Sequence, residues 1–132
     1  MLWKNGEWRY FTNDEIRRSG GDPNGMCPIF MHKLSLFRDM INVPMIIVPN
    51  GMNSGNHKAK EHPQGQAADF YFTRPVSDER VLHTAGLCKL NGIGLYTNHI
   101  GAKSYHVDDR EVATMWKGIR HKEGESWTYS RL

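Results

Sequence analysis

The sequence predicts an α+β fold: one domain, a small antiparallel sheet flanked by helices. Three observations lead there. Over residues 28–42 the apolar side chains Phe30, Leu34, Phe37, Met40 and Ile41 recur at spacings of three and four, the period of a helix with one buried face. Short apolar or aromatic runs follow at 45–48, 70–72 and 93–96, too brief for helices and rich in strand-forming types. The 132 residues carry no internal repeat, linker or low-complexity segment, which suits a single core spanning 1–132.

In chain order, residues 1–10 carry Trp3, Trp8 and Tyr10 among charged groups and read as an N-terminal arm or short strand packed across the domain. Thr12 or Asn13 caps a short helix whose first turn holds Asp14 and Glu15. Residues 17–25 are loop, rich in Gly, Pro and Asn. Pro28 suits the first turn of the next helix, which ends near Asn42, ahead of Pro44. The continuous apolar run 45–48 fits a central strand buried on both faces. A polar loop, 49–61, leads to His62, and a strand begins at Asp69. Ser77 caps another helix, ended by a left-handed turn at Asn91-Gly92. Strands at 93–96 and 104–108 enclose a loop, residues 110–117 form a helical turn, and 118–132 lie on the surface as a C-terminal tail.

Composition narrows the function. Hydrophobic residues make up 39% and charged residues 23% of the chain, and no apolar run approaches a membrane span. The net charge of +3 suits either an ordinary solvated surface or encounter with an anionic polymer, but no Lys/Arg cluster is dense enough for nucleic acid. The first residues lack the apolar core of a signal peptide, so delivery by a phage or prophage system is the expectation if the target lies outside the cell. Cys27 and Cys88 have no CxxC spacing and are expected to be buried free thiols.

The chemistry gathers around His62-Pro63-Gln64-Gly65-Gln66-Ala67-Ala68-Asp69. Imidazole and carboxylate are ligands that a catalytic zinc accepts, and Gly65 with two alanines lets the chain turn and pack closely between them. Such a site usually has three protein ligands and one open position. In Ser104-Tyr105-His106-Val107-Asp108, strand alternation places Ser104, His106 and Asp108 on one face, making His106 the third candidate. Asp108 then serves as catalytic base or as the partner that orients a ligand, with His99 the second candidate base. His57, in the loop before His62, is either a substrate contact or an exposed loop histidine.

The pattern His-x-x-Gly-x-Ala-x-Asp, followed by His-Val-Asp-x-Arg and by Trp116, resembles the zinc D-alanyl-D-alanine carboxypeptidases, which share their fold with the Hedgehog signalling domain and phage peptidoglycan endopeptidases. Residues 44–54 look like that family's buried strand and Ser-Gly-Tyr-Arg-Ser turn, and Gly92-Ile93-Gly94-Leu95-Tyr96 like its Gly-x-Gly-x-Tyr segment. The resemblance covers about residues 11–116. It implies a Hedgehog/D,D-peptidase-like fold and one Zn2+ per chain, held by His62, Asp69 and His106. It further implies a monomer that hydrolyses stem or cross-bridge peptides of bacterial peptidoglycan, as D,D- or L,D-carboxypeptidase or endopeptidase. Asn53 and Ser54 fall in the turn where the family holds substrate, and Asn53 replaces its arginine. Lys103 and Ser104 occupy the offsets where related groups carry the base, and Lys60 replaces a serine. These departures favour an internal bond over a free terminal carboxylate. They also keep open a zinc-bound, non-catalytic binding domain, or a wall-anchoring module.

Overall fold

The computed structural model describes residues 11–55, 57 and 60–132, together with the backbone of 3–4 and 7–8. Strands β1 (Trp3–Lys4) and β2 (Glu7–Trp8) pair as a short antiparallel ladder; the packing expected of the Trp3, Trp8 and Tyr10 side chains lies outside the described residues. Helix α1 (Asn13–Arg18) starts on a capping box, in which Thr12 Oγ1 accepts from Glu15 N at 3.1 Å and Glu15 reaches back to the Thr12 amide. Glu15 also receives both guanidinium arms of Arg38, at 2.9 and 3.2 Å, which ties α1 to the next helix.

Helix α2 (Pro28–Ile41) begins on proline and ends at Asn42 in the left-handed region, φ 51°. Phe30, Met31, Leu34, Phe37 and Ile41 are its buried stripe. Met40, expected on that face, is 47% exposed: the stripe is narrower than the apolar count suggested. Helix α3 (Asp78–Leu87) is capped by Ser77, whose Oγ accepts from Arg80 N at 3.2 Å. The left-handed residue after it is Lys89 rather than Asn91 or Gly92, because Gly92 is already the first residue of the next strand.

A six-stranded sheet carries the rest, in the order β3-β4-β6-β5-β7-β8: β3 (Met45–Ile47), β4 (Ala67–Phe72), β5 (Gly92–Thr97), β6 (Lys103–Asp108), β7 (Thr114–Ile119) and β8 (Thr128–Arg131). The sheet is mixed rather than antiparallel, because β5 and β7 run parallel. The β5–β6 hairpin occupies one edge of β5, so the chain can return only along the other, with β6 forming part of the crossover. Three expectations change with it. Strand β3 is an edge strand with Ile46 42% exposed, not a central one. The helical turn expected at 110–117 is largely β7, and the surface tail expected at 118–132 supplies the end of β7 and all of β8, because the open edge of β5 gives those residues a ladder to join.

The two faces of the sheet divide the labour. Ala68, Phe70, Tyr105, Val107, Ile93 and Leu95 are buried and belong to the same core as the apolar stripes of α2 and α3, with Phe37 and Phe70 rings 5.7 Å apart. The opposite face holds a row in register across five strands: Asp69, His106, Gly94, Trp116, Arg131. Directly opposed residues share a face.

Candidate metal centre and cleft

The backbone around the two motifs is held by close approaches that only glycine permits. Asp69 donates its amide to Gly51 O (2.7 Å) and accepts from Val48 N (3.1 Å). A Cβ on Gly51 would come within 2.6 Å of Asp69 O, so the turn after β3 lies tightly on β4. His62 sits in a turn closed by Gly65 N to His62 O (3.0 Å) and Gln66 N to Glu61 O (2.8 Å). Gly65 has φ +71°, and a Cβ there would run into the backbone of Gly25 and Met26. The sequence folds this way because Cys27 N reaches Gly65 O at 3.0 Å, fastening the motif to the start of α2.

Each histidine has one ring nitrogen occupied and the other turned to Asp69. His62 Nδ1 lies 2.7 Å from Met52 O, leaving Nε2 3.3 Å from Asp69 Oδ2. His106 Nε2 lies 2.6 Å from Asp108 Oδ2, and its Nδ1 is 2.7 Å from Asp69 Oδ1. Asp108 is fully buried. It accepts from Arg110 Nε (2.8 Å), from a terminal guanidinium nitrogen (2.6 Å) and from the Arg110 amide (3.1 Å). Gly92 lies beneath it, where any Cβ would collide with the carboxylate.

Burial pushes the Asp69 carboxyl up, but hydrogen bonds from His106 and His62 outweigh it and hold the pKa at about 2. For His106, burial acts downward, and the flanking carboxylates of Asp108 and Asp69 raise it to about 9. In Asp108, Arg110 and His106 overcome burial and keep it ionised. Without metal, the His106 contribution to stability is therefore complete below its usual 6.5 and lost as pH rises through about 9. That of Asp69 is complete above 3.8 and lost as pH falls toward about 2. A metal held at His106 Nδ1 would have to displace that proton. Affinity measured by calorimetry should then rise between pH 6.5 and 9, by up to about tenfold per pH unit. An affinity flat across that window would count against a proton lost from His106 on binding.

His57 is half-buried, and its Nε2 lies 2.8 Å from both Asn50 O and Ser54 O. Its ring stacks on His62, centroids 3.7 Å apart and planes within 14°. One ligand atom from each of His57, His62 and Asp69 lies within 4.8 Å of the others, so this trio could hold a metal ion. The other expected contacts are placed elsewhere. Asn53 Oδ1 accepts from Asp22 N (2.9 Å) and its Nδ2 donates to Asp22 O (2.8 Å), so it latches two loops together instead of facing a substrate. Ser54 Oγ bonds Asn50 Oδ1 at 3.1 Å, within its own loop. His99 is exposed at the turn of the β5–β6 hairpin, away from the cleft lining. Asp108 lies behind His106, hydrogen-bonded to its Nε2, and outside that lining.

A cleft of about 740 Å³ opens over the row. His57, His62, Asp69 and His106 form one end. Tyr96 and Trp116 make the middle, joined by Trp116 Nε1–H to the Tyr96 oxygen at 2.8 Å, and burial raises the Tyr96 phenol to about 12. Trp127, Tyr129 and Arg131 form the far wall. Trp127 meets Tyr96 edge-on at 5.1 Å and carries the Arg120 guanidinium 4.4 Å above its ring. Sequence reasoning placed these last residues in a surface tail; two aromatics so close together in it were the one signal of a built wall. No helix among the described residues is long and apolar enough to cross a membrane. The chain matches no family model, no curated protein and no solved structure.

Proposed function

We propose that this protein is a zinc-dependent peptidase acting on peptides of bacterial peptidoglycan, with His62, Asp69 and His106 as metal ligands. One observation carries the reading: the Asp69 carboxylate meets a ring nitrogen of His62 and one of His106, and both histidines have their other nitrogens fastened, by Met52 O and Asp108. Ligand atoms about 2 Å from a tetrahedral ion lie roughly 3.3 Å apart. The His62–Asp69 separation of 3.3 Å fits that spacing, and the shorter His106–Asp69 contact of 2.7 Å is one that a shared proton now bridges. We favour His106 as the third ligand because Asp108 fixes its ring as Met52 O fixes that of His62; His57, with a ligand atom within 4.8 Å of those of His62 and Asp69, is the alternative.

Zinc there would supply a bound water acidified toward a pKa of about 7 and would polarise the scissile carbonyl. The chain's own groups do the rest. Asp108 holds the His106 ring in place, and Arg110 keeps Asp108 charged. His57, with Nε2–H tied to two carbonyls, presents Nδ1 to take a proton from the attacking water and return it to the leaving amine. Tyr96 stays protonated at neutral pH and, accepting from Trp116, keeps its own proton to donate to the substrate. With Asn53 used as a latch, that turn offers no cation for a terminal carboxylate, which favours an internal bond.

A zinc-bound binding domain is favoured by one feature, the saturation of Asp108, the carboxylate nearest His106 Nε2. Metal content and release of free amines from purified sacculi, before and after chelation, decide between them. One zinc per chain with chelator-sensitive release is the expected result; one zinc without release across several wall types selects the binding domain. Absence of metal after reconstitution sinks both.

A further inference from the structure

Strand β8 puts a cation at the far end of the metal row. Arg131 pairs with Trp116, Trp116 with Gly94, and Gly94 with His106, so Arg131 stands on the site's face three strands away. At about 4.8 Å per strand its backbone is roughly 14 Å from that of His106. The surface between them is smooth and aromatic. Trp116 covers Gly94, where a Cβ would come within 2.7 Å of the indole, and the Tyr96 ring covers Gly118. Two arginines line the cleft. Arg110 is neutralised by Asp108 and, at 3.6 Å, by Glu61. Arg131 has no acidic partner among the described residues.

We propose that Arg131 is a specificity-determining residue that grips a carboxylate on a peptide substrate, two or three residues from the bond held at His62, Asp69 and His106. The spacing follows from the geometry. An extended peptide advances about 3.3–3.6 Å per residue, so roughly 14 Å is four residues, and the reach of the arginine side chain shortens it. The planar guanidinium takes a carboxylate through two parallel hydrogen bonds, which an exposed lysine would not reproduce. The intervening residues lie over Trp116 and Tyr96, where small or apolar side chains fit best. The cation that the Asn53 turn lacks is thus supplied at a greater distance, so the charge read is not the carboxylate next to the scissile bond. The inference rests on the peptidase reading for the word substrate, but binding tests it independently.

The probes are acetylated, amidated peptides with a central D-alanyl amide and one glutamate, moved stepwise from one to four residues away, each with its glutamine twin. The zinc-loaded protein should prefer glutamate to glutamine by tenfold or more in calorimetric affinity, with the maximum at two or three residues. Arg131→Gln should erase the preference and Arg131→Lys restore only part, both with an unchanged unfolding midpoint. Asp69→Asn should stop hydrolysis yet keep the binding preference. A preference without hydrolysis would sustain Arg131 and overturn the peptidase. Hydrolysis with equal glutamate and glutamine affinities, or a preference that survives Arg131→Gln, would overturn Arg131 and leave the peptidase standing. If neither series binds, the proposal fails.

Discussion

With zinc held as proposed, Asp69→Ala should lower zinc affinity by roughly a thousandfold or more and remove the chelator-sensitive hydrolysis expected of a peptidase. Asp69 is the one anion among the proposed ligands, and both of its oxygens are in use, Oδ1 with His106 and Oδ2 with His62. Loss of an outer-sphere partner such as Asp108 typically costs about 10–100-fold in affinity, so loss of the shared carboxylate should exceed that. Competition against a chromophoric chelator reads the number directly. Two companion variants assign the third ligand. His106→Ala should match Asp69→Ala, whereas His57→Ala should weaken zinc by less than about tenfold while slowing turnover. The reverse order would make His57, His62 and Asp69 the true set.

Gly65→Ala destabilises the fold by about 3 kcal/mol, from a strained backbone of about 1 kcal/mol and an overpacking clash of about 1–3 kcal/mol. Gly65 stands at φ +71°, and its missing Cβ faces Gly25 O, with Met26 Cα at 2.7 Å and Cys27 N at 2.8 Å. These are backbone atoms at the entrance to α2 and cannot swing aside as a side chain would. Gly101→Ala is the control: φ is +80°, with nothing within 4 Å of the added methyl, so only the backbone cost of about 1 kcal/mol remains. Urea unfolding of the two variants separates strain from collision. Equal losses would mean that α2 yields to the methyl group and the close approach matters little.

Local signals were readable in the chain, and long-range ones were not. Thr12 and Ser77 announced helix starts because a cap depends on residues three apart. The meeting of Asp69 with His106 was legible from alternation, since a polar face opposite Tyr105 and Val107 has one place to go. The edge position of β3 was not legible: a run of Met45, Ile46 and Ile47 looks alike at the centre or the rim of a sheet. Nor was β8, whose Thr-Tyr-Ser-Arg has no apolar alternation and becomes a strand only because β7 offers it a ladder. Asn53 and Ser54 were misplaced for a related reason. Short polar side chains in a turn serve the backbone first, as the Asp22 and Asn50 contacts show.

The unequal footing of the two ends of the cleft has a dynamic consequence. Asp69 and His106 ride on β4 and β6, each paired on both sides, with the core beneath them. Tyr129 and Arg131 ride on a four-residue edge strand, exposed at every position and paired on one side only. Local opening of β8 therefore breaks few buried contacts and requires only a fraction of the global unfolding free energy, whereas opening of β6 approaches the whole of it. The end that carries Asp69 and His106 is rigid, and the end that carries Tyr129 and Arg131 can part from the sheet and rejoin it while the other keeps its shape.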